Sequence, residues 1–172
     1  MAEMTRTSNE YETIHATCLA LTCAGKQAGV LLLGGSGSGK SSLALRLLDE
    51  PGFGARSDEL IRARLVADDQ VIVRNHGGGL VASAPRNIGS LLEVYGHGIL
   101  KLPDDNPANV VLAFAATHVP RDGVERLPEP VQMSVAGQSL RLHELDFGSP
   151  AAPAIIRSLL LVTWGHLAFL EG

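Results

Sequence analysis

The sequence predicts an α/β domain built on a mixed sheet with few helices. Three observations carry that reading. A continuous aliphatic run at residues 30–33 enters a glycine-rich loop and then a helical pattern. Many short strand-like runs follow, several of them parted by only two or three turn residues. Only two segments hold their apolar residues as helices would.

In chain order, residues 1–12 are polar and aperiodic and read as a tail, leaving 13–172 as one domain. Residues 14–21 form a strand, 24–29 turn, and 30–33 form the next strand, so a hairpin feeds a central strand. The helix spans 42–50: Leu43 with Leu47 and Ala44 with Leu48 stand at i,i+4 spacing, and Pro51-Gly52 stops it. Strands at 64–67, 71–74 and 80–84 are separated by Asp68-Asp69-Gln70 and by Gly77-Gly78-Gly79, the pattern of an antiparallel meander. Further strands cover 91–95, 99–102, 110–116, 131–135 and 139–142, and a last helix covers 154–170.

Composition narrows the function. With 45% hydrophobic and 19% charged residues the chain is globular rather than disordered. Its seven aromatics leave a core of Leu, Val, Ile and Ala and few platforms for stacking bases. Fourteen Lys and Arg against 18 Asp and Glu give a net charge of -4, the wrong sign for a protein held on a nucleic-acid backbone. Cys18 and Cys23 have no metal-ligand spacing, which argues against zinc. No basic start precedes an apolar stretch, and the uncharged stretch 158–170 falls short of the roughly 20 residues a spanning helix needs. The expectation is a cytoplasmic protein with no nucleic-acid or membrane partner, whose last helix is core or subunit interface.

The sharpest signal is Gly34-Gly35-Ser36-Gly37-Ser38-Gly39-Lys40-Ser41, which fits G-x-x-x-x-G-K-[ST] between a strand and a helix. Glycines let backbone N–H groups converge on phosphate oxygens, and the helix amino terminus adds its dipole. Lys40 then reaches the β and γ phosphates, and Ser41 offers a hydroxyl to magnesium. Asp68 and Asp69 stand at a strand end, where such a protein holds its carboxylates. Two adjacent carboxylates can divide two jobs: one takes a substrate proton, while the other serves the metal directly or through water. Taken alone, Asp68-Asp69 also reads as a solvated hairpin turn, and His15 as an ordinary strand histidine.

The order of His15, then Leu65-Val66-Ala67-Asp68-Asp69, then Leu92-Glu93-Val94-Tyr95-Gly96-His97-Gly98-Ile99 resembles the HPr kinase/phosphorylase family. The likeness runs over residues 14–126, to the catalytic carboxy-terminal domain in the short form lacking the amino-terminal domain. It implies an ATP- and magnesium-dependent serine kinase acting on HPr, the phosphocarrier of the sugar/nitrogen phosphotransferase system. The implied fold is a P-loop kinase domain related to phosphoenolpyruvate carboxykinase. By the same resemblance His15 is the catalytic histidine, orienting Asp68, which exchanges the serine proton. Lys40 is the loop lysine, Ser41 and Glu93 are magnesium ligands with Asp69 beside them, and Arg126 is the catalytic arginine. A homo-oligomer is implied as well, with a hexamer as the candidate assembly.

The chain departs from the family pattern at several points. Ala16 stands in place of Gly, Tyr95 in place of Arg and His97 in place of an aliphatic residue. Residues 24–28 look inserted, and 51–62 lengthen the connection to Asp68. A Pro-Gly-Arg-rich segment linked to phosphorolysis is missing. These departures point to a kinase with weak or absent phosphorylase activity, or to a catalytically weak nucleotide-binding sensor working through a protein partner. A small-molecule kinase would show an arginine-rich lid, whereas the arginines here are scattered.

Overall fold

The computed structural model describes residues 11–55, 58–86, 88, 90–103, 106–126 and 128–169. Strand β1 (Tyr11–His15) runs through a break at Ala16 into β2 (Thr17–Cys23), and β3 (Lys26–Leu33) returns beside it. Helix α1 (Lys40–Asp49) follows, then β4 (Arg62–Ala67), β5 (Gln70–His76), β6 (Gly79–Ser83), β7 (Leu91–Val94), β8 (Gly98–Lys101) and β9 (Asn109–His118). A 3-10 turn (Arg121–Gly123) leads to β10 (Val131–Val135), β11 (Gln138–Leu145) and helix α2 (Ala152–Thr163). Among the described residues no helix is long and apolar enough to cross a membrane.

The sheet is mixed, in the order β1-β5-β6-β9-β3-β2-β4, with β11 also parallel to β9 and β10 paired to β11. The strand β3 that feeds the glycine loop is parallel to β9 and antiparallel to β2. At Gly29 a register shift lets β3 approach β9 so closely that a Cβ would lie 2.6 Å from Val110. Glycine is what a bulge at such a distance requires.

Burial explains the aliphatic runs. Every residue of β2 except Thr22 is buried, because the sheet is covered on both faces. Leu19, Leu21, Val30 and Leu32 face one core together with Leu43 and Leu47 of α1 and Ile156 and Leu160 of α2. Cys18, Ala20 and Leu31 face a second core closed by Val71, Val73, Leu80 and Leu140 from the strands that fold over that side.

Several sequence expectations need correction. Tyr11 and Glu12 belong to β1 rather than to a tail; residues 1–10 lie outside the described residues. The single strand expected at 14–21 is two, because β1 pairs with β5 while β2 pairs with β3 and β4. The turn expected over 24–29 is only Ala24-Gly25, both at positive φ (49° and 77°), the twist that suits a two-residue hairpin. Residues 26–29 are therefore strand and lengthen the β2–β3 hairpin. No β4–β5 hairpin forms: β4 lies against β2, and β5 against β1 and β6.

The last helix stops at Thr163. Gly165 sits at φ 74°, the Gly165 N–H donates to the Val162 carbonyl, and the His166 N–H donates to that of Leu161. This is a Schellman stop, which glycine favours over any residue with a Cβ. The helix also buries Ile156, Arg157, Leu159, Leu160 and Leu161 inside the protomer, so its apolar character is core and gives no support to a subunit interface.

Candidate active site

Strand β3 delivers the chain to Gly34, whose Cβ, were there one, would lie 2.6 Å from Ser38 Oγ. The loop then closes with a bond from the Ser38 N–H to the Gly35 carbonyl at 3.2 Å. Helix α1 starts from Gly39 in the left-handed conformation (φ 90°). No side chain caps its first turn and no acidic residue occupies it, so the turn is left to solvent or to an anion. Lys40 Nζ donates to the carbonyls of Gly34 (2.6 Å) and Gly35 (3.1 Å), which holds the ammonium across its own loop.

Opposite the loop stand the two carboxylates. Strand β4 runs antiparallel to β2, which runs antiparallel to β3, so Asp68 emerges at the same end of the sheet as Gly34, with β2 between them. Asp69 takes a left-handed conformation (φ 68°) that turns the chain into β5. Register completes the geometry. His15 pairs with Gln70 and Cys18 with Ala67, and continuing that register through the break sets Thr17 opposite Asp68.

The observed bonds follow that register. Thr17 Oγ1 donates to Asp68 Oδ1 at 2.6 Å, and the Glu93 backbone N–H donates to Asp68 Oδ2 at 3.0 Å. His15 Nδ1 lies 2.9 Å from Asp69 Oδ1. Both side chains of this last pair are more than half exposed (58% and 65%), so the contact orients more than it stabilises. The expectation that His15 orients Asp68 is thereby corrected: His15 holds Asp69, and Asp68 is held by Thr17 and Glu93.

The loop and the carboxylates face one open cleft of about 450 Å³, lined by residues 36–42, His15, Asp68, Asp69, Glu93 and Tyr95. Ten of the predicted positions thus converge, while Gly34 and Gly35 lie behind the lining as the carbonyls that hold Lys40. Arg126 is exposed beyond the 3-10 turn and is not part of the lining. Sequence reasoning missed Ser42 in the lining and Thr17 behind it. No sequence signal marks Thr17, since its partner lies 51 residues away and is found only through strand register.

Among the described residues no three His, Cys, Asp or Glu side chains converge as a metal site of their own. A cation here would need oxygens from a bound phosphate in addition to Ser41 and one or two carboxylates, which is how magnesium is usually held beside nucleotides. The residues present fit that mode.

Residues 7–111 match the family model of the HPr serine kinase C-terminal domain. The chain belongs to this family. It is 44% identical over 75 residues to the HPr kinase/phosphorylase of Brevibacillus brevis, covering 43% of this chain and 21% of that protein. It is 46% identical over 74 residues to the one from Chlorobium limicola, covering 42% and 19%. The matched stretch therefore spans about a fifth of the length of these curated relatives. In fold, the chain is similar to the Hpr(Ser) kinase/phosphatase from Coxiella burnetii, with a TM-score of 0.65 at 22% identity, covering 87% of this chain and 93% of that one. The α/β fold with a mixed sheet is shared with that structure, and the family assignment bears out the resemblance read from the motifs.

Proposed function

We propose that the domain that begins with β1 is the catalytic domain of an ATP- and magnesium-dependent kinase that phosphorylates a serine of HPr and so regulates the phosphotransferase system. The observation that carries this is the single cleft in which an uncapped glycine-loop helix faces Asp68, Asp69, His15 and Glu93. The finer fold reading goes with it: a P-loop kinase domain related to phosphoenolpyruvate carboxykinase, working in the cytoplasm as a homo-oligomer, with a hexamer as the candidate assembly.

In this reading the loop N–H groups and Lys40 hold the nucleotide phosphates, with Lys40 exchanging its carbonyl partners for phosphate oxygens. Magnesium, held by Ser41, Glu93 and Asp69, supplies charge neutralisation at the phosphates when bound. His15 sets the direction of Asp69. The acceptor serine oxygen forms its bond to the γ-phosphorus as the bond to the bridging oxygen of ADP breaks, and the serine proton passes to Asp68. Arg126 would act only after moving toward the cleft.

The test is incubation of purified protein with labelled ATP, magnesium and HPr from the same organism. Phosphoserine on HPr is the expected product; Asp68→Asn should keep nucleotide affinity and lose transfer, since an amide cannot take the proton. No labelled HPr from a protein that binds ATP would overturn the kinase reading. It would favour a nucleotide-binding sensor acting through a partner, a reading to which the position of Arg126 outside the cleft already lends support. Phosphorolysis of phosphorylated HPr is expected to be slow, because Tyr95 brings no fixed cation to a cleft where two phosphates must approach each other. A gain of pyrophosphate release in Tyr95→Arg is the check.

A further inference from the structure

We propose that Thr17 is a positioning residue for phosphoryl transfer: its buried hydroxyl fixes the Asp68 carboxylate in the orientation from which it takes the acceptor's proton. The proposal rests on the kinase reading above. It starts from an oddity of composition along β2. Thr17 is completely buried between Ala16 and Cys18, and among the described residues it and Arg157 are the buried side chains with polar or charged groups. A valine would fill the same volume with no hydroxyl to satisfy, and β-branched apolar residues suit a covered strand at least as well. The hydroxyl is explained by its partner, Asp68 Oδ1 at 2.6 Å.

Asp68 needs that partner. The terminal torsion of an aspartate is broad and roughly two-fold, so one hydrogen bond leaves the carboxylate free to pivot. Two donors from different parts of the fold remove the pivot: the Thr17 hydroxyl on β2 holds Oδ1, and the Glu93 N–H on β7 holds Oδ2. A base that must meet a proton within hydrogen-bond reach gains rate from being held there beforehand. Thr17 does not line the cleft and reaches the chemistry only through Asp68. His15, held on Asp69, does not duplicate this role.

The experiment compares Thr17→Val, Thr17→Ser and Thr17→Ala in transfer to HPr, with ATP affinity measured alongside and a crystal structure of Thr17→Val. Val should lower kcat by about ten- to a hundredfold with the KM for ATP unchanged, as expected for a misplaced catalytic group. Ser, which keeps the donor, should stay within about threefold of wild type. In an Asp68→Asn background Thr17→Val should lower the rate no further, because the two act as one unit. Wild-type kcat in Thr17→Val, or equal losses in Ser and Val, would overturn the proposal. If Val does not fold, Ser against Ala isolates the same hydroxyl, and equal rates in those two would overturn it. Should the wild type transfer nothing to HPr, the kinase reading falls separately. The Thr17→Val crystal structure then decides the present proposal, which an unmoved Asp68 carboxylate would overturn.

Discussion

Lys40 bridges the Gly34 and Gly35 carbonyls, and on the proposed kinase reading those two bonds are exchanged for phosphate contacts when a nucleotide enters. The exchange replaces neutral acceptors by charged ones, so the bound state gains from it. At a nucleotide concentration a hundred times Kd, ATP with magnesium should raise stability by about 2.7 kcal/mol. Lys40→Ala should lose most of that increment while changing the melting temperature of the free protein much less; thermal melts with and without nucleotide measure both. The neighbouring cysteines are a contrast. Burial pushes the Cys18 thiol far above its ordinary range, which leaves it a packed side chain rather than a nucleophile. Among these residues the loop motif was legible because all its atoms come from eight consecutive positions, whereas Thr17 was not, because a threonine in a strand has no signature.

At the next scale, β7 and β8 form a two-stranded unit apart from the main sheet, anchored by Leu92, which is fully buried in the core under α1 and α2. That anchor also carries the Glu93 N–H to Asp68. Leu92→Ala should therefore cost about 3 kcal/mol of stability, as a core truncation does, and also lower transfer by more than it weakens ATP binding. Equal losses in both would mean the hairpin is only packing. The end of α2 offers a second case. Gly165→Ala must place a Cβ in the left-handed region and should destabilise by about 1 kcal/mol, read from urea unfolding. The apolar periodicity announced the helix but not its stop, since the uncharged run continues past Gly165 and the two closing hydrogen bonds are invisible in a hydrophobic pattern. Likewise the short strands were legible as apolar runs between turn residues, but the partners of β4 and β5 were not, because such a run marks where a strand lies along the chain and nothing about which strand lies beside it.

For the whole molecule, two cores on opposite faces of one sheet account for the long aliphatic runs and for the apolar last helix. Helix α2 is tied to α1 through Arg157, which donates to the Glu50 carbonyl, and through Arg46, which donates to the carbonyls of Phe147, Ser149 and Pro150. These links and the buried face make α2 part of the scaffold that holds the loop helix. Any assembly of this chain is therefore expected to use other surfaces. Ile155, on the exposed side of α2, tests this: Ile155→Glu should leave the mass measured by light scattering unchanged. A drop in mass would return the helix to the interface.

The chain by itself determined the glycine-rich loop with its lysine, the pair of carboxylates, the strand-rich mixed α/β class and the likeness to HPr kinases, because each of these lies in contiguous residues or in their local period. Only the tertiary structure decided how the carboxylates are divided, with Thr17 and Glu93 on Asp68 and His15 on Asp69. The reason is physical. Those contacts join β1 and β2 to the turn after β4 and to β7, and such a pairing depends on the register between distant strands, which one residue of slip would redirect.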